Sequence, residues 1–222
     1  MLNFDEHGIE IKRNYISGSV LEGIKNEISA SVKKYPRHGI RGAEKKFSTI
    51  KKLTESTKLV DLGISLLGSK PQVVRAIYFD KTQDNNWLVS WHQDKTIAVN
   101  KKIDVPGWGP WSIKDEQHHV QPSLEVLNNM VTFRLHLDAA DESNGCLKVI
   151  PKSHELGILS QQELTMIASE LEPCLCEVAE GDLLIMKPHI LHASGKSQNP
   201  GHRRVVHIEY SNYLLPLNLS WV

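Results

Sequence analysis

The spacing of apolar residues along the chain changes near residue 70. Before that point, apolar side chains recur every three to four residues over 18–34 and again over 58–67, which is the spacing of an amphipathic helix. The second run stops before Gly68, and glycine commonly follows the last turn of a helix. The pattern therefore predicts two helices within a helical lead-in of about residues 1–70.

Short β-rich runs replace the helical spacing from residue 72 onward. Turn-forming pairs such as Asn144-Gly145 and Glu180-Gly181 separate these runs. Many short strands after a helical lead-in are typical of a closed or double-sheet β architecture such as a jelly roll. We therefore expect a mainly β fold with a core over about residues 72–212, in one domain over 1–222. The predicted strands are residues 73–80, 88–91, 96–99, 130–138, 147–150, 174–178, 182–186 and 204–210.

Composition narrows the class of protein. Of 222 residues, 40% are apolar and 23% charged, as in soluble globular proteins. The 26 basic residues equal the 26 acidic ones, so no overall charge attracts nucleic acid or an anionic membrane. No apolar run is long enough for a membrane span, and the N-terminal stretch MLNFDEHGIE is acidic where a secretion signal is basic. The three cysteines do not suggest a disulfide framework, so we expect a cytoplasmic protein.

A histidine and an aspartate stand two residues apart in the stretch SWHQDKTIAV, as His92 and Asp94. Residues i and i+2 of a strand point to the same side, so this spacing suits two ligands of one metal ion. The same spacing recurs at His136 and Asp138. Two histidines and one carboxylate on one face of an octahedron form the metal site of non-haem Fe(II) oxygenases. Either pair therefore indicates a metal site only if the chain also offers a second histidine as the third ligand.

The late stretch HILHASGKSQNPGHRR offers that ligand together with a cation. His192 precedes a turn, and Arg203 opens the next predicted strand, which returns toward the same site. The planar guanidinium group of Arg203 can bind both oxygens of the far carboxylate of a dicarboxylic co-substrate. His189 is the competing histidine in this stretch.

The ordered set WHQD, NGCLKVIPKSH, and HASG followed by an arginine eleven residues after its histidine resembles the phytanoyl-CoA dioxygenase family of Fe(II)- and 2-oxoglutarate-dependent oxygenases. The resemblance covers about residues 73–210. It implies a double-stranded β-helix core and hydroxylation of an unactivated C–H bond of a small organic substrate by O₂, with release of succinate and CO₂. It also implies that His92, Asp94 and His192 bind Fe(II), and that Arg203 binds the distal carboxylate of 2-oxoglutarate with Ser194 beside it.

Two further positions follow from the resemblance. Gln93, between the first two ligands, would lie close to the co-substrate. Arg134 falls where a relative has a tryptophan against the co-substrate, so it either faces the site or forms a structural salt bridge. The resemblance also favours His92 over His136, and choosing the latter would leave the strands from 73 to 99 outside the core.

Two other functions remain open. A cupin-type metalloenzyme could use the same barrel without 2-oxoglutarate, and Arg203 would then be structural. A non-catalytic jelly-roll binding protein would use His92 and Asp94 as an ordinary hydrogen-bonded pair. No nucleic-acid or membrane partner is expected in any of the three cases.

Several segments are candidates for the surroundings of the site. The long segment between residues 99 and 130 would form a substrate lid or cover the edge of the core. The basic residues between the two predicted helices face an anionic substrate or form a solvated surface, which is the commoner case. The residues concerned are Trp108, Trp111 and His119 in the long segment, Lys33, Lys34, Arg37, His38, Arg41, Lys45 and Lys46 in the basic one, and Lys81, Asn86 and Trp87 before the first ligand pair.

Overall fold

The computed structural model describes residues 2–31, 34–35 and 39–222. Two antiparallel sheets form the core, and most of the helices precede it in the chain. In chain order the elements are α1 (Phe4–His7), β1 (Ile9–Lys12), α2 (Gly18–Ser31), β2 (Ile40–Arg41), α3 (Ala43–Lys46), α4 (Ser48–Thr54), α5 (Thr57–Leu67), β3 (Gln72–Lys81), β4 (Val89–His92), β5 (Ile97–Val99), β6 (Trp111–Lys114), β7 (Gln117–Val120), α6 (Leu124–Asn128), β8 (Met130–His136), β9 (Leu147–Val149), α7 (Gln161–Glu170), β10 (Cys174–Cys176), β11 (Leu183–Met186), β12 (His192–Ser194) and β13 (Arg203–Ser211).

The strands alternate between the two sheets in the manner of a jelly roll. The larger sheet has the order β1-β11-β8-β13-β3-β2, and the smaller one has the order β10-β9-β12-β4. From β8 to β13 the chain therefore crosses repeatedly from one sheet to the other. This architecture confirms the predicted mainly β fold with a helical N-terminal part.

The larger sheet has one apolar face and one partly polar face. Successive side chains of a strand point to opposite faces, so Val131, Phe133 and Leu135 of β8 share one face. They pack in the same core as Ile24 of α2 and Ile50 of α4. The N-terminal helices thus cover the apolar face, and the intervening side chains are left to line the space between the two sheets.

The long segment after β5 contains a β-hairpin that the sequence did not predict. Strands β6 and β7 form a hairpin that pairs with β5 in a third sheet. Asp115 and Glu116 connect them, with φ angles of 49° and 62°. Two such residues form a tight hairpin turn that usually carries Asn-Gly, so the turn has no strong signal in this sequence. Trp108 and Trp111 pack against the apolar core beneath this sheet, so they cover the edge of the core.

Other sequence predictions differ in their bounds. The first predicted helix is α2, whose described part ends at Ser31, and Val32 and Lys33 lie outside the described residues. Arg37 and His38 of the basic segment also lie outside them. The three cysteines are free. In the described part of the chain, none of the helices combines the length and apolarity needed to cross a membrane.

Glu27 of α2 ties the beginning of α4 to the helical layer. Its carboxylate accepts hydrogen bonds from the N–H and hydroxyl groups of Ser48 and Thr49, at 2.5 to 2.9 Å. These bonds satisfy backbone donors that a helix leaves free at its first turn. Burial raises the pKa of Glu27, but the hydrogen bonds from Thr49 and Ser48 outweigh it and lower the pKa to about 2.

Substituting Glu27→Gln is expected to lower the free energy of unfolding by about 1–2 kcal/mol at pH 7, because an amide is a weaker acceptor than a carboxylate. The folded-state pKa lies below the ordinary value of 4.5. The stabilisation is therefore complete above pH 4.5 and disappears as the pH falls toward 2. Urea unfolding of both proteins at pH 7 and pH 3 measures the difference, which should shrink at pH 3. A difference independent of pH would contradict this role.

Candidate metal and co-substrate site

His92, Asp94 and His192 lie together between the two sheets. His192, at the start of β12, is paired with His92, at the end of β4. The Asp94 carboxylate lies 3.7 Å from His92 Nε2 and 3.6 Å from His192 Nε2. One ligand atom from each residue can be chosen so that all lie within 4.8 Å of one another. A single metal ion between them would therefore be within reach of all three.

Asp94 reaches this position from outside the strand that carries His92. The spacing of the two residues suited two ligands on one strand, but β4 ends at His92 and Asp94 lies beyond it. The N–H group of Asp94 instead donates to the carbonyl of Pro188 at 2.9 Å. This bond ties the segment after β4 to the one before β12, so the carboxylate is held beside both imidazoles.

The hydrogen bonds of both imidazoles leave Nε2 free to bind a metal. His92 Nδ1 lies 2.9 Å from the Ser90 carbonyl, and His192 Nδ1 lies 2.8 Å from the Ile190 carbonyl. A carbonyl oxygen only accepts, so each Nδ1 carries the proton and each Nε2 keeps its lone pair. Burial lowers the pKa of His192 to about 4, although the nearby Asp94 opposes the shift. His192 is therefore neutral at pH 7.

The Asp94 carboxylate is ionised. Burial raises its pKa, but the electrostatic effect of the neighbouring His192, His207 and Arg75 side chains outweighs burial and holds the pKa below its usual value. The cluster thus offers two imidazole nitrogen ligands and one anionic oxygen ligand. This donor set fits a divalent transition metal such as Fe(II) and leaves room for other ligands.

A second group, Asp94 with His207 and Glu209, is as compact as the first. His207 and Glu209 are already bonded to each other and to two arginines, however. Arg134 Nη1 donates to His207 Nδ1 at 3.0 Å, so His207 Nε2 carries the proton and donates to Glu209, also at 3.0 Å. Arg75 pairs with the same carboxylate. These residues therefore form a buried hydrogen-bonded network beside the first cluster, not a second metal site.

The competing histidines lie elsewhere. Among the described residues, neither compact group of potential ligands includes His136, Asp138 or His189. Asp138 accepts hydrogen bonds from the Arg204 side chain at 2.6 and 2.8 Å, so its carboxylate is occupied. The His189 ring packs edge-on against His154.

Arg203 is a buried cation with unused donors. Its side chain is 3% exposed, and its Nε and Nη1 atoms have no hydrogen-bond partner in the described structure. Burial and the neighbouring Arg134 lower its pKa to about 10, so it remains charged at pH 7. A buried charge without a partner is costly, and an anion at this position would remove that cost.

Ser194 and Lys81 lie beside this arginine. Lys81 Nζ donates to Ser194 Oγ at 3.0 Å, and that hydroxyl donates to the Gly145 carbonyl at 2.8 Å. Burial, Arg203 and Arg134 lower the pKa of Lys81 to about 7.

The metal-ligand candidates and Arg203 line one cavity of about 250 Å³. Its lining side chains include His92, Asp94, His192, Ser194, Arg203, Arg134, Trp87 and His119. Asn86 pairs with the backbone of Ser197 and does not line this cavity.

Gln93 points away from this cavity, contrary to the prediction that it lies beside the co-substrate. Its amide nitrogen donates to the carbonyls of Gly157 and His189, at 2.8 and 2.7 Å. Its amide oxygen accepts from the Leu159 N–H at 2.9 Å. The side chain therefore joins its own segment to two other loops, and both of its amide hydrogens are engaged.

The network of His207 and Glu209 was not predicted from the sequence. Both residues follow Arg203 at even spacing along β13, and even spacing places them on the same face of the strand. This alternation was the signal in the sequence from which the network could have been predicted.

Arg134 lines the cavity, as expected if it faces the site. Its hydrogen bond goes to the His207 imidazole, whereas the alternative role, a structural salt bridge, would need a carboxylate.

A jelly roll with two histidines and an aspartate gathered between its sheets is the architecture of the cupin-like non-haem metal oxygenases. The sequence model of the phytanoyl-CoA dioxygenase family matches residues 4–205. The chain therefore belongs to that family, which confirms the resemblance seen in its motifs.

Individual relatives are more distant. Over 124 residues the chain is 27% identical to a methylphosphonate hydroxylase of Gimesia maris, a match that covers 53% of this chain and 46% of that protein. AviO1 from Streptomyces viridochromogenes has a TM-score of 0.71 at 18% identity, over 96% of this chain and 93% of its own. HygX from Streptomyces hygroscopicus, solved with nickel and 2-oxoglutarate, has a TM-score of 0.68 at 12% identity, over 94% and 83%. At these identities the two structures support the fold alone.

Proposed function

We propose that the chain is an Fe(II)- and 2-oxoglutarate-dependent dioxygenase that hydroxylates an unactivated C–H bond of a small organic substrate and releases succinate and CO₂. The observation that carries this proposal is that two buried donors of Arg203, Nε and Nη1, have no hydrogen-bond partner among the described residues and lie in the same cavity as His92, Asp94 and His192. HygX, on the same fold, was solved with 2-oxoglutarate bound. O₂ and the substrate are the other partners, and a cytoplasmic location stays a prediction.

Each residue of the site has a defined task in this function. His92, Asp94 and His192 would hold Fe(II), which supplies the centre at which 2-oxoglutarate and O₂ react. The carbonyls of Ser90 and Ile190 orient the two imidazoles through their Nδ1 protons.

Arg203 would bind the distal carboxylate of 2-oxoglutarate through its unused donors. The Ser194 hydroxyl lies in the same cavity and is held by its bonds to Lys81 and Gly145. Apolar side chains such as Phe79 and Leu147 line the cavity as well. They would exclude water from the reacting groups.

The two alternative functions fit the contacts less well. A cupin-type enzyme without 2-oxoglutarate would leave two buried donors of Arg203 without a partner among the residues that the structure describes. A binding protein would need a hydrogen bond between His92 and Asp94, but the distance from His92 Nε2 to the Asp94 carboxylate is 3.7 Å, which is too long for one. A metal ion shared by the three side chains accounts for that separation.

Succinate formation tests the proposed function directly. Purified protein with Fe(II), 2-oxoglutarate and O₂ should release succinate, and a panel of small organic substrates should contain members that increase the rate. Protein loaded with Zn(II), which does not change its oxidation state, should release none. Stoichiometric Fe(II) binding without any 2-oxoglutarate turnover, with or without the panel, would contradict the proposal.

A further inference from the structure

A second set of cationic and imidazole side chains lines the cavity, on strands other than those that carry Arg203 and Arg134. Arg41 lies on β2, Arg75 on β3 and Lys114 on β6, and His119 lies on β7. Arg41, Arg75 and His119 also line an adjoining cavity of about 480 Å³. The two cavities therefore meet at these three residues, which gives the cavity of the His-Asp-His cluster an extension with basic walls.

Two buried atoms of this set have no hydrogen-bond partner in the described structure, namely Nε of Arg75 and Nδ1 of His119. His119 is 3% exposed. Burial and the charges of Arg75, Lys114 and Arg41 lower its pKa, so the three cations surround a neutral imidazole. Buried polar atoms without partners are costly, and the oxygen atoms of a ligand could satisfy both of them.

The charges of the loaded site do not cancel. Arg75 is paired with Glu209, and Arg41 is paired with Asp115 at 3.0 Å. Among the described residues, Lys114 has no ion-pair partner. The positive charge of Lys114 is therefore neutralised neither by the buried network that contains Glu209 nor by the surface pair of Arg41 and Asp115.

The positive charge of the cavity remains in excess when Fe(II) and 2-oxoglutarate bind. Fe(II) and the Asp94 carboxylate together carry one positive charge, and Arg134 and Arg203 match the two carboxylates of 2-oxoglutarate. A net positive charge therefore remains near Lys114 when metal and co-substrate are both bound, and it favours an anionic substrate.

We propose that the substrate carries a tetrahedral oxyanion, as an alkylphosphonate or a phosphate monoester does, and that Arg75, Lys114 and His119 bind this group. The inference rests on the proposed function, whose substrate class it names. The donors come from three different strands, so a group with three acceptor oxygens can meet all of them, whereas a planar carboxylate offers two. Arg41 lies exposed at the rim, and the alkyl part of the substrate extends toward the metal ligands.

Calorimetric titration without O₂ tests this site. The protein is loaded with Fe(II) and saturating 2-oxoglutarate, so that Arg203 is already occupied. The probes share one alkyl group: ethylphosphonate, ethanesulfonate, propanoate and ethanol. Ethylphosphonate is expected to bind at least about ten-fold more tightly than propanoate, because each additional charge-assisted hydrogen bond contributes that much or more. Ethanol is expected not to bind, and added salt should weaken the ethylphosphonate complex.

Variants assign the binding to these residues. Lys114→Gln is expected to weaken ethylphosphonate binding about ten-fold, whereas Lys70→Gln, at another exposed lysine, should have no effect. His119→Gln, which keeps a donor, should bind ethylphosphonate more tightly than His119→Leu. Each variant should retain Fe(II) and 2-oxoglutarate binding.

Two results overturn the inference while leaving the proposed function intact: equal affinity for ethylphosphonate and ethanol, or an unchanged affinity in Lys114→Gln, with Fe(II) and 2-oxoglutarate still bound. If the protein binds neither Fe(II) nor 2-oxoglutarate, the proposed function fails instead. The comparison of wild type with Lys114→Gln in the metal-free protein then still decides whether the oxyanion site exists.

Discussion

Substituting Asp94→Ala is expected to weaken Fe(II) binding by more than about 100-fold, beyond the effect typical of residues that only support a metal ligand. The carboxylate is the one anionic member of the cluster and lies within 3.7 Å of both imidazole Nε2 atoms. His92→Ala and His192→Ala should each cause a comparable loss. Equilibrium dialysis against Fe(II) without O₂ measures the affinity, and circular dichroism checks that the variants remain folded.

His136→Asn is the matched control for these three variants. It removes a buried imidazole that belongs to neither compact group of potential ligands, so Fe(II) affinity should be nearly unchanged. Loss of iron from the His136 variant together with its retention in the His92 variant would reverse the choice between the two histidine–aspartate pairs.

The second large effect is expected from Arg203→Met, which should raise the 2-oxoglutarate concentration needed for half-saturation by about 30-fold or more. Removing one partner of a buried ion pair costs about 2–5 kcal/mol, and a factor of ten corresponds to about 1.4 kcal/mol. Fe(II) binding should be retained. The free protein should be no less stable than wild type, because methionine replaces a buried cation whose Nε and Nη1 donors have no partner in the described part of the chain.

Arg204 provides the neighbouring control. Its guanidinium group binds Asp138, away from the cavity lining, so Arg204→Met should change 2-oxoglutarate affinity little and stability more. Titration of both variants with 2-oxoglutarate shows which of the two arginines contributes to co-substrate affinity. A larger loss of affinity in the Arg204 variant would refute the assigned role of Arg203.

Short β-rich runs bounded by turn-forming residues were enough to predict most strands of the two main sheets. β8 alternates Val131, Phe133 and Leu135 with polar residues, and β3 is rich in β-branched and aromatic residues, so local sequence carries their signal. The hairpin of β6 and β7 was missed because its turn uses Asp115 and Glu116, which lack the glycine that usually marks such turns.

The site was less accessible to sequence reasoning, because its contacts depend on strand register. The motifs identified the three potential metal ligands and Arg203, but His207 meets Arg134 only because β13 pairs with β8 in one particular register. Gln93 is a different case. It stands next to His92 in the chain, and neighbouring residues of an extended segment point to opposite sides, so its orientation could have been predicted.

The most direct test of the account is an absorption titration of the protein with Fe(II) and 2-oxoglutarate in the absence of O₂. When 2-oxoglutarate chelates iron, a visible absorption band develops that neither component has alone. We expect a band that saturates at one Fe(II) and one 2-oxoglutarate per chain, is missing in Asp94→Ala, and requires much more 2-oxoglutarate in Arg203→Met. A wild-type protein that binds one Fe(II) but develops no band at any 2-oxoglutarate concentration would contradict it.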